Sequence, residues 1–183
     1  FNTVDYRTPH FHPEWELMWL LDHPLTVSRG GGSFRAEKGS LLLFQPNEPH
    51  ELHMIDEKCT FLCLQVSPEL LRLDSDLVVE DILLNPYLGD GAERVRTAML
   101  EIADAYLSQE PYSSLLCIGR TCLVFHEILC GIPVRAITRE ELISQEKRNK
   151  RVASLIRLVD ENYMHSIRLS DFAASEGFSM SYL

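Results

Sequence analysis

Alternation and turn residues dominate the first third of the chain. FHPEWELMWLL, LTVSR, SFRAE, GSLLLFQ and TFLCLQVS are short runs rich in aliphatic, aromatic and β-branched residues, punctuated by Gly30-Gly31-Gly32 and by the PNEPHE segment. The pattern predicts an antiparallel β-module over residues 1–91. Closing it into a barrel or sandwich protects edges that a free sheet leaves open to other chains. From about Ala92 the apolar period lengthens to about three and a half residues. In AERVRTAMLEIADAYL, Val95, Met99, Ile102 and Tyr106 fall on one helical face, with charged residues opposite. In SSLLCIGRTCLVFHEILCG, Leu115, Ile118, Cys122, Phe125 and Leu129 are spaced 3-4-3-4, a heptad seam that Leu116, Leu123 and Cys130 widen. A stripe this broad serves two surfaces, the β-module and a second subunit. Residues 92–132 are therefore read as helices for core packing and for a homodimer.

Gly131, Pro133 and TREELISQEKRNK then break the pattern, and residues 133–150 read as a linker, helical in part. Lys147, Arg148, Lys150 and Arg151 form the one dense basic cluster. Taken alone, such a run is a solvated helix face; beside a nucleic-acid-reading element it would face phosphates. In RVASLIRLVDENY, Val152, Leu155, Ile156 and Val159 share a face. The following IRLSDFAASEGFSMSYL reads as a short helix from about Ser170 to Glu176. Gly177 turns the chain in the left-handed conformation, and Ser179 caps a second helix. Ala173 is small where the two helices must cross. Two short helices on a tight turn make a helix-turn-helix, whose second helix enters the major groove. Ser179, Ser181 and Tyr182, at the start of that helix, are the candidate DNA-contacting residues, and 151–183 is the DNA-binding region.

Composition narrows the class. With 45% hydrophobic and 24% charged residues among 183, the chain is an ordinary globular sequence. A formal net charge of −10 excludes a surface that is basic throughout, so any DNA-reading region is local. Five cysteines (Cys59, Cys63, Cys117, Cys122, Cys130) form an odd set with no C-x-x-C pair, which points to free thiols in a reducing cytoplasm. The most apolar stretch, Leu115 to Leu129, carries Arg120, His126 and Glu127 and falls short of the roughly 20 residues of a membrane span. Neither a membrane protein nor a signal peptide is expected, although the chain begins at Phe1 without Met.

Two motif sets resemble those of a known family. Glu161-Asn162-Tyr163, Ile167-Arg168-Leu169, Asp171, Phe172-Ala173, Gly177 and Ser179-Met180-Ser181-Tyr182-Leu183 are similar to the opening of the DNA-binding domain of AraC-type transcriptional regulators. Arg168 departs from the Ser or Thr that caps that helix in the family. His10-x-His12-x-x-x-Glu16, then Gly39-Ser40-Leu41-Leu42-Leu43-Phe44, then Pro46-Asn47-Glu48-Pro49-His50 resemble the cupin-type sensor domain of the same regulators. The resemblance implies an α+β protein: a cupin-like double-stranded β-helix barrel, followed by α-helices and a truncated helix-turn-helix region. It implies a regulator that binds a small-molecule effector, frequently a sugar, and operator DNA when its DNA-binding domain is complete. In the family the recognition helix continues and a second helix-turn-helix follows, so the sequence ending at Leu183 is expected not to bind operator DNA strongly by itself.

The barrel residues carry a chemistry of their own. On one strand, His10, His12, Glu14, Glu16 and Met18 share parity and point to one face, and His50 arrives from the Pro-rich turn. These six are the candidate effector-pocket residues. Two imidazoles with a carboxylate are a common coordination unit for Zn²⁺, Fe²⁺, Ni²⁺ or Mn²⁺. In metal-binding cupins, the resemblance implies, His10, His12, Glu16 and His50 are the ligand positions; a polar effector pocket without metal is the alternative. The second motif is shorter than in cupin enzymes, and His23 stands near the position of a family glycine. Trp15 and Trp19 have the opposite parity and are expected against the helices. His53 is expected in solvent and His126 in the core.

No Ser-His-Asp set, phosphate-cradling glycine loop or paired-carboxylate signature stands out, so no catalytic residue is assigned. A metal-dependent cupin enzyme, a dioxygenase or isomerase, is the rival reading, and a sugar-binding interaction module a third. The C-terminal helix-turn-helix pattern separates the regulator from both.

Overall fold

The computed structural model describes residues 2–4, 6–29, 31–54, 58–71, 77–108, 110–164, 168–175 and 177. Its elements, in chain order, are β1 (Asn2–Val4), β2 (Tyr6–His10), β3 (Trp15–Leu20), β4 (Leu25–Arg29), β5 (Gly32–Ala36), β6 (Leu41–Phe44), β7 (His50–Met54), β8 (Cys59–Val66), α1 (Pro68–Leu71), β9 (Leu77–Val79), α2 (Asn85–Leu88), α3 (Gly91–Ser108), α4 (Ser113–Gly131), β10 (Val134–Ala136), α5 (Arg139–Asn162) and α6 (Leu169–Ser175). The chain divides into two compact units, Phe1–Ala136 and Ile137–Leu183.

In the first unit two four-stranded sheets are stacked, with strand orders β1-β8-β3-β6 and β2-β7-β4-β5, and every pairing is antiparallel. A meander would pair consecutive strands; here only β4 and β5 do so, across the hairpin at Gly31 (φ +84°). Every other connection from β1 to β8 crosses between layers, which produces the cupin-like sandwich. The segment FHPEWELMWLL is accordingly not one strand. His10 ends β2 in one sheet, residues 11–14 cross over, and β3 begins at Trp15 in the other.

Alternation assigns the side chains to two cores. Met18, Leu20, Leu42, Phe44 and Phe61 of the first sheet meet Leu25, Val27, Ala36 and Leu52 of the second between the layers. Trp15, Leu17, Leu41, Leu43, Leu62 and Val66 point the other way, onto α3 and α4. β3 is thus covered on both faces, which is why WELMWL shows no polar face. Trp19 also packs against the helix-covered core, as its parity predicts.

The helices keep their expected positions with shifted faces. α3 buries Ala92, Val95, Met99, Ile102 and Ala105, whereas Tyr106 is 76% exposed, so Ala105 takes the inner position at the helix end and the tyrosine falls outside the face. α4 buries Thr121, Val124, Phe125 and Ile128. Its length and apolar composition reach those of a membrane span, contrary to the sequence expectation, but its inner face packs in the helix–sheet core. Asn85 and Arg96 fasten α2 and α3 to the turn before β6. The Asn85 Oδ1 accepts from Leu41 N–H at 2.7 Å, while Asn85 Nδ2 and an Arg96 amine donate to the Gly39 carbonyl at 3.2 and 2.6 Å.

Residues 133–150, read as a partly helical linker, hold β10 and the first half of α5. β10 pairs with β9 and completes the first unit, and α5 starts at Arg139. A capping box sets that start: Glu141 N–H donates to Thr138 Oγ1, and Thr138 N–H donates to the Glu141 carboxylate. In the second unit α5 runs unbroken to Asn162, and α6 buries Phe172 and Ala173. Gly177 has φ +73°, the left-handed turn read from the sequence. Ser179, Ser181 and Tyr182 lie outside the described residues, as does the second helix expected there.

Candidate metal and effector site

Four candidate ligands converge between the sheets at the end of the barrel where β2, β3 and β7 meet. One ligand atom each from His10, His12, Glu16 and His50 lies within 4.8 Å of all the others. Glu16, on β3, points inward with Met18 and is completely buried. His50, the first residue of β7, is 2% exposed and stacks on Phe44 with ring centres 4.1 Å apart. His10 stands directly opposite His50 across the β2–β7 pair. His12 comes from the crossover and places Nε2 2.5 Å from Glu16 Oε2.

The imidazoles are oriented from behind. His10 Nδ1 is 2.9 Å from the Thr8 carbonyl, His50 Nδ1 is 2.9 Å from the Glu48 carbonyl, and His12 Nδ1 is 3.1 Å from the Glu14 carbonyl. A carbonyl only accepts, so each Nδ1 donates its proton; at His10 and His50 this leaves Nε2 with a lone pair, whereas His12 Nε2 faces the Glu16 carboxylate and donates to it. The Nε2 atoms of His10 and His50 are buried without a hydrogen-bond partner. Backbone carbonyls fixing one imidazole nitrogen while the other faces a common point is the supporting arrangement of a metal site.

Electrostatics agree with that reading. Burial by itself raises the Glu16 carboxyl, but hydrogen bonds from Cys63, His12 and Gln65 and the neighbouring His50 outweigh it and hold the group below the ordinary carboxylate value. Glu16 is therefore an anion. Burial, reinforced by the adjacent His10 and His12, lowers His50 against the raising effects of the Glu48 carbonyl and Glu16, so that imidazole is neutral. Burial, with Glu16 close by, pushes the Cys63 thiol up and keeps it protonated. An anionic Glu16 and a neutral His50, with the imidazoles of His10 and His12 converging on the same point, fit a first-row divalent metal.

The other predicted pocket residues divide. Met18 is fully buried in the inter-sheet core beneath the cluster. Glu14 lies in the crossover, partly exposed, with its carboxylate 3.6 Å from His12 Nδ1. A cavity of about 400 Å³ opens beside His50, lined in part by Pro9, Arg29, Gly32 and Pro49. Arg29 is already paired with Glu48, whose second oxygen accepts from Gln45 N–H at 2.9 Å.

Sequence reasoning missed Cys63 and Gln65, which donate to Glu16 at 3.2 and 3.3 Å. The parity of TFLCLQVS holds the signal, because Phe61, Cys63 and Gln65 share the face opposite Leu62, Leu64 and Val66. His53 is exposed on β7, edge-on to Tyr6. His126 is exposed on α4 rather than in the core, with Nε2 3.7 Å from Cys130 Sγ.

The dimerisation seam also divides. Phe125 is 1% exposed and meets Trp15 edge-on, and Leu129 packs partly into the same core. Leu115 (65% exposed), Ile118 and Cys122 face outward beside Leu116 and Leu123.

Solved structures similar to the barrel include a conserved protein of unknown function from Streptococcus pyogenes (19% identity, TM-score 0.34, 36% of this chain and 60% of that one). An RmlC-like cupin with a double-stranded β-helix fold from Methanocaldococcus jannaschii is 12% identical (TM-score 0.33, 39% of this chain and 71% of that one). An oxalate decarboxylase variant from B. subtilis is 27% identical (TM-score 0.30, 34% of this chain and 18% of that one). The first of these is thus spanned over less than two thirds of its length. No curated protein matches the chain. The model of the AraC-like ligand binding domain family matches residues 2–111, more than half of the sequence and the whole of the two-sheet sandwich, and the chain belongs to that family.

Proposed function

We propose that the chain is the effector-sensing and dimerising portion of an AraC-type transcriptional regulator, acting in the cytoplasm. Its barrel holds a divalent transition metal (Zn, Ni, Fe or Mn) on His10, His12, Glu16 and His50. The single observation that carries the metal is the pair of buried, unpartnered Nε2 atoms of His10 and His50, aimed with the Glu16 carboxylate at one point. When bound, the metal supplies a Lewis-acidic anchor for polar groups of a small molecule entering beside His50. The protein's residues orient the donors, keep the cluster buried and surround the ligand with the pocket wall.

Signalling then requires that the effector bind one arrangement of the chain better than another, because only differential affinity shifts populations. The exposed apolar face of α4, Leu115, Leu116, Ile118, Cys122 and Leu123, is the proposed homodimer surface. α6 and the left-handed Gly177 support the opening of a helix-turn-helix, in which Ser179, Ser181 and Tyr182, outside the described residues, would contact operator DNA.

Elemental analysis of the chain purified without a metal-affinity step tests the metal. The expected result is near-stoichiometric metal, lost in His12→Ala and His50→Ala variants that still fold. Metal-free protein after growth with each candidate ion would overturn that half of the proposal and leave a polar effector pocket. The same four donors also suit a metal-dependent cupin enzyme, the second reading; turnover by the metal-loaded chain would favour it.

A further inference from the structure

The inner wall of the barrel carries a second charged group that the ligand cluster does not use. Arg7 is the register partner of Leu52 in the β2–β7 pair, and residues directly opposite in an antiparallel pair project to the same side. Leu52 is wholly buried in the inter-sheet core, so Arg7 enters the barrel interior from β2. The neighbouring Tyr6 and His53 form the outward pair, with Tyr6 donating to Glu51.

Ordinary alternation would put Arg7 and His10 on opposite faces, since three positions separate them. The register shifts by one residue between these positions, and His10 stands opposite the buried His50. The bulge therefore brings an arginine and a metal-ligand candidate from one strand onto the same interior. The Arg7 charge is felt by Cys63, which points inward from β8 and donates to Glu16.

Arg7 is half-buried, and among the described residues its guanidinium has no hydrogen-bond or ion-pair partner. The interior carboxylate, Glu16, is engaged by His12, Cys63 and Gln65, and on the neighbouring strands Glu48 is paired with Arg29 and Glu51 accepts from Tyr6. A half-buried guanidinium with no counter-ion among the described residues is costly to hold, and a planar oxyanion relieves that cost with two parallel hydrogen bonds. We infer that Arg7 is the anion-recognising residue of the barrel and that the effector is a small carboxylate, held by Arg7 at one end and by the histidine cluster at the other. A sugar acid satisfies this chemistry; a neutral sugar does not. The inference rests on the effector-pocket reading above.

The test uses acetate, the minimal carboxylate, and acetamide, its neutral match, on the full chain in chelator-treated buffer at constant ionic strength. Binding is read from the NMR signals of His12 and His50. Acetate is expected to move them saturably, acetamide is not, and Arg7→Gln is expected to weaken acetate about tenfold to a hundredfold, with Arg7→Lys recovering part of the loss. Equal effects of acetate and acetamide, or equal acetate affinity in Arg7→Gln and the parent, would overturn the role of Arg7 while leaving the pocket in place. Histidine signals unmoved by either probe in every variant would overturn both.

Discussion

Glu16 and His12 meet at 2.5 Å although the chain leaves one sheet and enters the other between β2 and β3. Four residues of sequence separation thus bridge two layers. Both nitrogens of His12 face acceptors, the Glu14 carbonyl and the Glu16 carboxylate. A proton on each nitrogen satisfies both contacts; so does a metal ion taking the place of the Nε2 proton.

Acid should destabilise the metal-free chain in two stages. Burial holds His50 below its ordinary value of 6.5, so the unfolded chain takes up that proton first, and the stability it confers is complete above pH 6.5 and declines below it. Glu16 is held below 4.5 by hydrogen bonds that outweigh burial, so its contribution is complete above pH 4.5 and fades as pH falls through the lowered value. Urea midpoints measured from pH 8 to 4 should fall in both windows, and His50→Gln should flatten the upper one. Midpoints that rise on acidification would contradict the assignment.

Gln45 acts as a side-chain substitute for a strand neighbour. Its Oε1 accepts from Val79 N–H at 2.8 Å and its Nε2 donates to the Val79 carbonyl at 3.2 Å. Val79 is fully buried, so Gln45→Ala leaves both groups without that partner, at a cost of about 1–3 kcal/mol. Hydrogen exchange at the Val79 amide should quicken along with the loss of stability; unchanged exchange would refute this role.

The two sides of α4 should respond differently to substitution. Phe125→Ala empties a site in the helix–sheet core and is expected to cost about 3–5 kcal/mol. Leu123→Glu, at a position 70% exposed, should leave the fold intact and convert dimer to monomer, read by light scattering on a size-exclusion column. A monomeric parent chain, or a variant that stays dimeric, would remove α4 from the interface.

Much of the site was legible because strand parity is a local property. His10, His12, Glu16 and His50 were each identifiable as residue types in a motif, and they do converge. The single-strand picture that grouped Glu14 with them failed, because Pro13 and its neighbours form a crossover in which parity has no meaning. The seam on α4 was legible as apolar spacing, yet spacing could not say which of its residues face the sheet. That depends on the rotation of α4 against Trp15, and the rotation turns Phe125 inward and Leu115 outward.

The sequence by itself determined the strand-rich first third, the helices that follow from about Ala92 and the donor types of the barrel, since these follow from backbone preferences and side-chain chemistry within a few residues. Only the tertiary structure decided which strands share a sheet, which side of α4 is open and that Arg7 and His10 of one strand lie opposite buried residues. The last depends on a one-residue shift against a strand some forty positions away. Pairing over that distance is selected by the packing of the whole core, and no local pattern records it.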